Sequence, residues 1–266
     1  MKILYLDCFS GINGEMTLAA LIDAGANYKN IENQLKKLPI EPFSLQYFQV
    51  IKKGITALQV VVLSEHNCIQ RSFSEIKLII SDSTLSENVK TNSEKIFTKI
   101  AKAKAKIGNT DLHNVHFTDP STIVSIFGVC LALDELGIEQ IYSSPIPLGN
   151  GQTIIEQEIY PIPTPVTLEI LKGIPVRSAN VCGEMTTSTG AGIVTALGSQ
   201  FIGYPSMVIE EIGYGADTKD FSDRPNVLRA IIGHNEEDYL AKPQFHIHEH
   251  LNQQLEDQPQ SQRPCK

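Results

Sequence analysis

The stretch Ile3-Leu4-Tyr5-Leu6-Asp7-Cys8-Phe9-Ser10-Gly11-Ile12-Asn13-Gly14-Glu15-Met16 decides how the chain begins to fold. Its four leading apolar residues have the length and composition of a buried strand, and they break abruptly into polar residues and two glycines that allow a tight turn. From Met16 to Ile22 the apolar residues resume at helical spacing. A strand-loop-helix junction of this kind gathers backbone amides and side chains at one place. The unpaired amides at a helix start carry partial positive charge, which suits an anion or a metal-bound oxygen. Asp7, Ser10 and Glu15 add oxygen ligands there. The same residues admit a plainer reading, in which Ser or Asn caps the helix and Cys8 is a small buried hydrophobe. No Walker lysine follows the glycines, and Gly-x-x-Gly is not the dinucleotide fingerprint.

Outward from this junction, Phe43 to Val50 and Ile55 to Leu63 are β-prone runs separated by Lys52-Lys53-Gly54, the pattern of a hairpin. From Ser72 to about Gly108 the period becomes helical, with Asp82-Ser83 dividing two helices. Lysines 90, 95, 99, 102, 104 and 106 fit a solvated helix face in an acidic protein and are given no function. Ile123 to Leu136 reads as a buried helix ended by Gly137, and Gln140-Ile141-Tyr142 as a short strand. Pro161, Pro163 and Pro165 stiffen the approach to a helix at about Val166 to Leu171. The run Glu184 to Gly192, rich in Thr, Ser and Gly, leads into a helix at about Ile193 to Leu197. Its hydroxyls can cradle a phosphate or cap that helix, and capping is the better reading. Two last strands are expected at Ser206 to Gly213 and Asn226 to Ile232, joined by a connection dense in charge.

The predicted fold class is mixed α/β: a β-rich N-terminal unit, a helical middle and a second α/β portion, intimately packed. Residues 1–233 form the folded region, with sub-units at 1–110 and 111–233. Residues 234–266 are a polar, histidine-containing tail expected to be disordered. At 266 residues with 42% hydrophobic and 20% charged content, the chain can bury a sizeable core. Its net charge of −8 argues against nucleic acid and anionic membranes as partners, which need an excess of Lys and Arg. No run approaches the roughly 20 apolar residues that span a bilayer, so a cytoplasmic location is expected. Five scattered cysteines without a Cys-x-x-Cys pair indicate reduced thiols.

Metal chemistry has three candidate places. His246, His248 and His250 alternate in the tail and offer nitrogen donors suited to Ni, Zn or Cu, at a place where nothing nearby fixes their geometry. Glu65-His66 ends the hairpin. His113-Asn114-Val115-His116-Phe117-Thr118-Asp119 precedes the apolar helix, where His116 beside Asp119 can act as ligand or proton carrier, or be a surface histidine.

Taken together, Leu6-Asp7-Cys8-Phe9-Ser10-Gly11-x-x-Gly14-Glu15-Met16, Val115-His116-Phe117, Ala132-Leu133-Asp134-x-Leu136-Gly137, Glu184-Met185-x-Thr187-x-Thr189-Gly190 and Ile212-Gly213-Tyr214-Gly215-Ala216 through Asp223-Arg224-Pro225-Asn226 resemble the LarC family of nickel insertion proteins. The likeness runs in order over residues 1 to 233. It implies a nickel chelatase or cyclometallase of the lyase class, which places Ni(II) into pyridinium-3,5-bisthiocarboxylic acid mononucleotide so that two sulfurs and one ring carbon become ligands. It further implies cytidine triphosphate (CTP) with a divalent cation, used by a second domain that a separate chain would have to supply. On this resemblance Asp7, Glu15, His116 and Asp119 are the catalytic candidates. Ser10, Gly11, Gly14, Glu184, Thr187, Thr189 and Arg224 would hold the nucleotide precursor, and His66, His116 and Asp119 the metal, beside His246, His248 and His250, the metal candidates read from the tail itself. Departures accompany the likeness: Thr118-Asp119-Pro120-Ser121-Thr122 replaces a longer His- and Glu-bearing segment, Ser125 stands where the family commonly has Asp, and the histidine-rich stretch common near the hairpin end is reduced to His66. Two rivals remain, a nonenzymatic nickel store using the tail histidines and a noncatalytic partner of a nucleotide-binding chain.

Overall fold

The computed structural model describes residues 1–64, 70–155 and 157–235. Strand β1 (Lys2–Asp7) is buried along its length and feeds helix α1 (Gly14–Asp23), whose first turn is held by Asn13 accepting from the Met16 amide at 2.7 Å. A short helix α2 (Tyr28–Leu35), capped by Asn27, follows. It was not anticipated, because only Ile31 and Leu35 are buried and so few apolar positions give a faint period. The hairpin is present as β2 (Phe43–Lys52) and β3 (Ile55–Ser64). Its turn residues Lys53 and Gly54 both have positive φ, 47° and 86°, which matches the twist of a two-residue hairpin.

A two-residue strand β4 (Arg71–Ser72) runs into α3 (Phe73–Asp82) through a complete capping box, with Ser72 and Glu75 each accepting from the other's backbone amide. Helix α4 (Glu87–Gly108) ends at Asn109 in the left-handed conformation, φ 46°. Strand β5 (His116–Phe117) pairs with β4, and α5 (Pro120–Glu135) begins with proline in its first turn behind the cap Asp119. Strand β6 (Gln140–Ser143) then precedes a hairpin of β7 (Ile146–Ile155) and β8 (Glu158–Ile162), helix α6 (Pro165–Ile170) and β9 (Val176–Cys182). The sequence reading missed β7, β8 and β9. The outer half of β7 and nearly all of β8 are exposed, leaving Ile154 and Ile159 on the surface, and Pro147 and Pro161 interrupt these two strands, so no buried face marks a sheet in the sequence. Helix α7 (Ser188–Leu197) starts five residues earlier than expected because Thr187 is its cap. Strands β10 (Gln200–Phe201), β11 (Met207–Ala216) and β12 (Val227–Asn235) are the last elements among the described residues.

The main sheet has the order β10-β6-β1-β12-β11-β3-β2, and β8-β7-β9 form a smaller second sheet. Strand β1 lies between parallel β6 and antiparallel β12, so the opening strand is central and takes partners from the far end of the chain. This is mixed α/β architecture, as predicted. Helix α1 lies directly on β11, close enough that a methyl at Gly215 would sit 1.9 Å from the Met16 carbonyl oxygen. Helix α5, apolar on nearly every face, is sandwiched between α1 and α4. Phe97 is the hub there, edge-on to Phe117 at 5.2 Å and tilted against Phe127 at 5.4 Å. Among the described residues no helix is long and apolar enough to cross a membrane.

Candidate functional site

The loop after β1 is stitched to a distant segment. Gly11 closes a turn onto the Cys8 carbonyl at 3.2 Å with φ 114°, a conformation open to glycine, and a methyl there would lie 1.9 Å from the Met185 carbonyl oxygen. Ile12 then donates to Met185 at 3.0 Å and accepts from the Thr187 amide at 3.2 Å. These bonds set the cap of α1, Asn13, beside the cap of α7, Thr187. A contact of 3.3 Å between the hydroxyls of Thr122 and Thr189 brings in the first turn of α5. The starts of α1, α5, α6 and α7 thus face one cavity of about 330 Å³, lined by their caps Asn13, Asp119, Thr164 and Thr187. Eight Ser and Thr residues contribute to its walls.

Among the described residues four carboxylates, Glu15, Asp119, Glu184 and Asp217, surround the cavity against a single cation, Lys219. Glu15 accepts from the Val62 amide of β3 at 2.9 Å. Burial raises its pKa, the Val62 bond opposes that rise, and the charges of Asp119 and Asp217 add to it. Burial likewise raises the Glu184 carboxyl, with Lys219 pulling it down. Asp217 accepts from the Asn13 amide group at 2.9 Å, which ties the β11–β12 connection to the start of α1. The carboxylates ring the space rather than meet at a point: among the described residues no three His, Cys, Asp or Glu side chains form a ready-made metal cluster.

Of the residues singled out from sequence, Gly14, Glu15, Asp119, Glu184, Thr187 and Thr189 line this cavity. Five others are engaged elsewhere. Asp7 accepts from Arg229 at 2.5 Å and from the Tyr204 hydroxyl at 2.9 Å, and Arg229 also contacts Tyr204. Ser10 is fully buried and donates to the Pro225 carbonyl at 2.6 Å. Gly11 shapes the turn. His116 is exposed on β5 with Nδ1 2.9 Å from the Asn114 carbonyl, and Arg224 donates to Asp223 and to the Ala179 carbonyl. Cys8 is the inert thiol expected of a buried strand end, pushed up to about 12 by burial. His66, His246, His248 and His250 lie outside the described residues. Sequence reasoning missed Asp217 and Lys219, although the density of charge in their connection was visible. It also took Asn13 for a cap alone.

A family model described as nickel insertion protein matches residues 4–258. The chain belongs to that family. It is 44% identical to the pyridinium-3,5-bisthiocarboxylic acid mononucleotide nickel insertion protein of Geobacillus kaustophilus, over 97% of this chain and 67% of that one. Proteins of the same name from Staphylococcus epidermidis and Desulfitobacterium hafniense are 47% and 41% identical over 86% and 88% of this chain. The chain spans only 59% and 58% of those two relatives. No solved structure gives a significant match. Membership agrees with the resemblance carried by the opening loop.

Proposed function

We propose that this chain performs the step for which its relatives are named, with nickel and the bisthiolated pyridinium mononucleotide meeting in the polar cavity. Convergence of three full-length helix starts and four carboxylates on one hydroxyl-lined space carries this reading. The amide ends favour a phosphate, the hydroxyls suit a ribose, and carboxylate oxygens are serviceable but exchangeable donors for a divalent cation. A ring of separated carboxylates suits a metal donor, because a closed trap would hold its cargo instead of passing it to the two sulfurs of the acceptor.

Metallation forms two Ni–S bonds and one Ni–C bond, and the ring carbon gives up its proton as the last of these forms. Glu15 is assigned as the base that takes it. The carboxylate is half-buried, fixed by the Val62 amide and raised in pKa, so it holds a proton more readily than a solvated glutamate. Asp119, Glu184 and Asp217 supply the transient metal oxygens, while Thr187 and Thr189 bind the nucleotide. Use of CTP with a divalent cation, by a nucleotide-binding unit acting alongside this one, is a companion proposal. Mass spectrometry after anaerobic mixing of the protein with Ni(II) and the precursor should show the metallated nucleotide. No product, even with CTP, a divalent cation and a complementary nucleotide-binding chain added, would refute the assignment.

A further inference from the structure

Among the described residues Lys219 contributes the only cationic side chain to a cavity with four carboxylates, and its backbone is held in place there. Its amide donates to Asp217 Oδ1 at 3.1 Å, and its carbonyl accepts from Asn226 Nδ2 at 3.1 Å. Asn226 is itself buried, and its carbonyl accepts from the Asp217 amide at 3.1 Å, closing the base of the connection. Asp217 is anchored in turn to Asn13, the cap of α1. The amide of Lys219 is thus held by the cavity-lining Asp217 and its carbonyl by Asn226 behind it, while the residue is exposed and, among the described residues, its ammonium forms no ion pair. Arg224, the other cation of this connection, is occupied by Asp223 and the Ala179 carbonyl and does not line the space.

We propose that Lys219 is the specificity-determining residue that reads the phosphate of the mononucleotide, so that the site discriminates a phosphorylated precursor from its nucleoside. The assignment rests on the cavity being the precursor site. An ammonium on a short, pinned loop is a compact point charge suited to a phosphate dianion, and in an otherwise acidic space it offsets the repulsion such a ligand would meet. Loss of one charge-assisted contact should cost roughly 10- to 100-fold in affinity.

The test is a ligand-by-variant cycle using calorimetry. The pyridinium bisthiocarboxylate mononucleotide and the same compound lacking its phosphate are titrated into the wild-type protein, Lys219→Ala and Lys219→Arg. The expected result is that Lys219→Ala weakens the mononucleotide about 10- to 100-fold, leaves the nucleoside unchanged, and is largely rescued by Lys219→Arg. Equal losses for both ligands, or no loss for either, would overturn the role of Lys219 while leaving the cavity's function standing. Failure of the wild-type protein to bind either compound would overturn both.

Discussion

Two carboxylates of the opening loop have opposite fates. Asp7 and Glu15 are eight residues apart, and each looks like an oxygen ligand in the sequence. Asp7 is consumed by Arg229 and Tyr204, whereas Glu15 reaches the cavity with one oxygen held by Val62. Nothing local distinguishes them, because Arg229 is paired to Asp7 across 222 residues by the β1–β12 register. Asp7→Ala should therefore act on stability, lowering it by about 2 kcal/mol in urea unfolding by leaving Arg229 and the Tyr204 hydroxyl without their acceptor. An unchanged midpoint would remove the structural role given to Asp7. For Glu15 the folded-state pKa is raised, so the native protein binds more protons than the unfolded chain between the ordinary value of 4.5 and the raised one. Stability contributed at this site thus falls as pH rises through that window. The neutral variant Glu15→Gln should become progressively more stable relative to wild type across the same window. A difference that stays flat with pH contradicts the assigned burial.

At the scale of elements, the helical periods were the most legible part of the chain, whereas the helix starts that line the cavity were legible only in part. The periods behind α1, α3, α4 and α5 were plain in the sequence, but Asp119 was read there as a ligand or base rather than as the cap of α5, and the start of α7 was placed five residues late, past its cap Thr187. Their meeting point was not legible. It depends on Ile12 bonding to Met185 and Thr187, a pairing between segments about 170 residues apart that no local pattern encodes. The preference for capping over phosphate binding in the Thr187 loop was correct for the Thr187 hydroxyl, which accepts from Gly190 at 3.2 Å, and Thr187 and Thr189 line the cavity as well. Thr187→Ala should cost about 1 kcal/mol through the lost cap. Gly11→Ala should cost on the order of 3 kcal/mol, since it adds backbone strain and a clash with the Met185 carbonyl. Thermal melts of the two variants should rank in that order, and a Gly11→Ala protein as stable as wild type would mean the stitch between the loops is not formed as described.

For the whole molecule, the seven-stranded sheet explains why family membership could be recognised while the site remained diffuse. The motifs that carry the resemblance fall at β1 and the start of α1, at β5 and the C-terminal end of α5, at the cap of α7 and along β11 into the β11–β12 connection, and several of these segments line the cavity. Strands β7 to β9, invisible in the sequence, bring Ile155 and the cap of α6 to its rim. In the function we propose, the acceptor completes the nickel site, its two sulfurs joining the four separated carboxylates of the cavity. Anomalous diffraction at the nickel edge, from crystals of this protein soaked with Ni(II) and the mononucleotide precursor, tests that claim most directly. The account predicts one strong nickel peak inside the cavity, within reach of Glu15 and its neighbouring carboxylates. A nickel peak elsewhere on the chain, with the cavity empty of both metal and nucleotide, would contradict it.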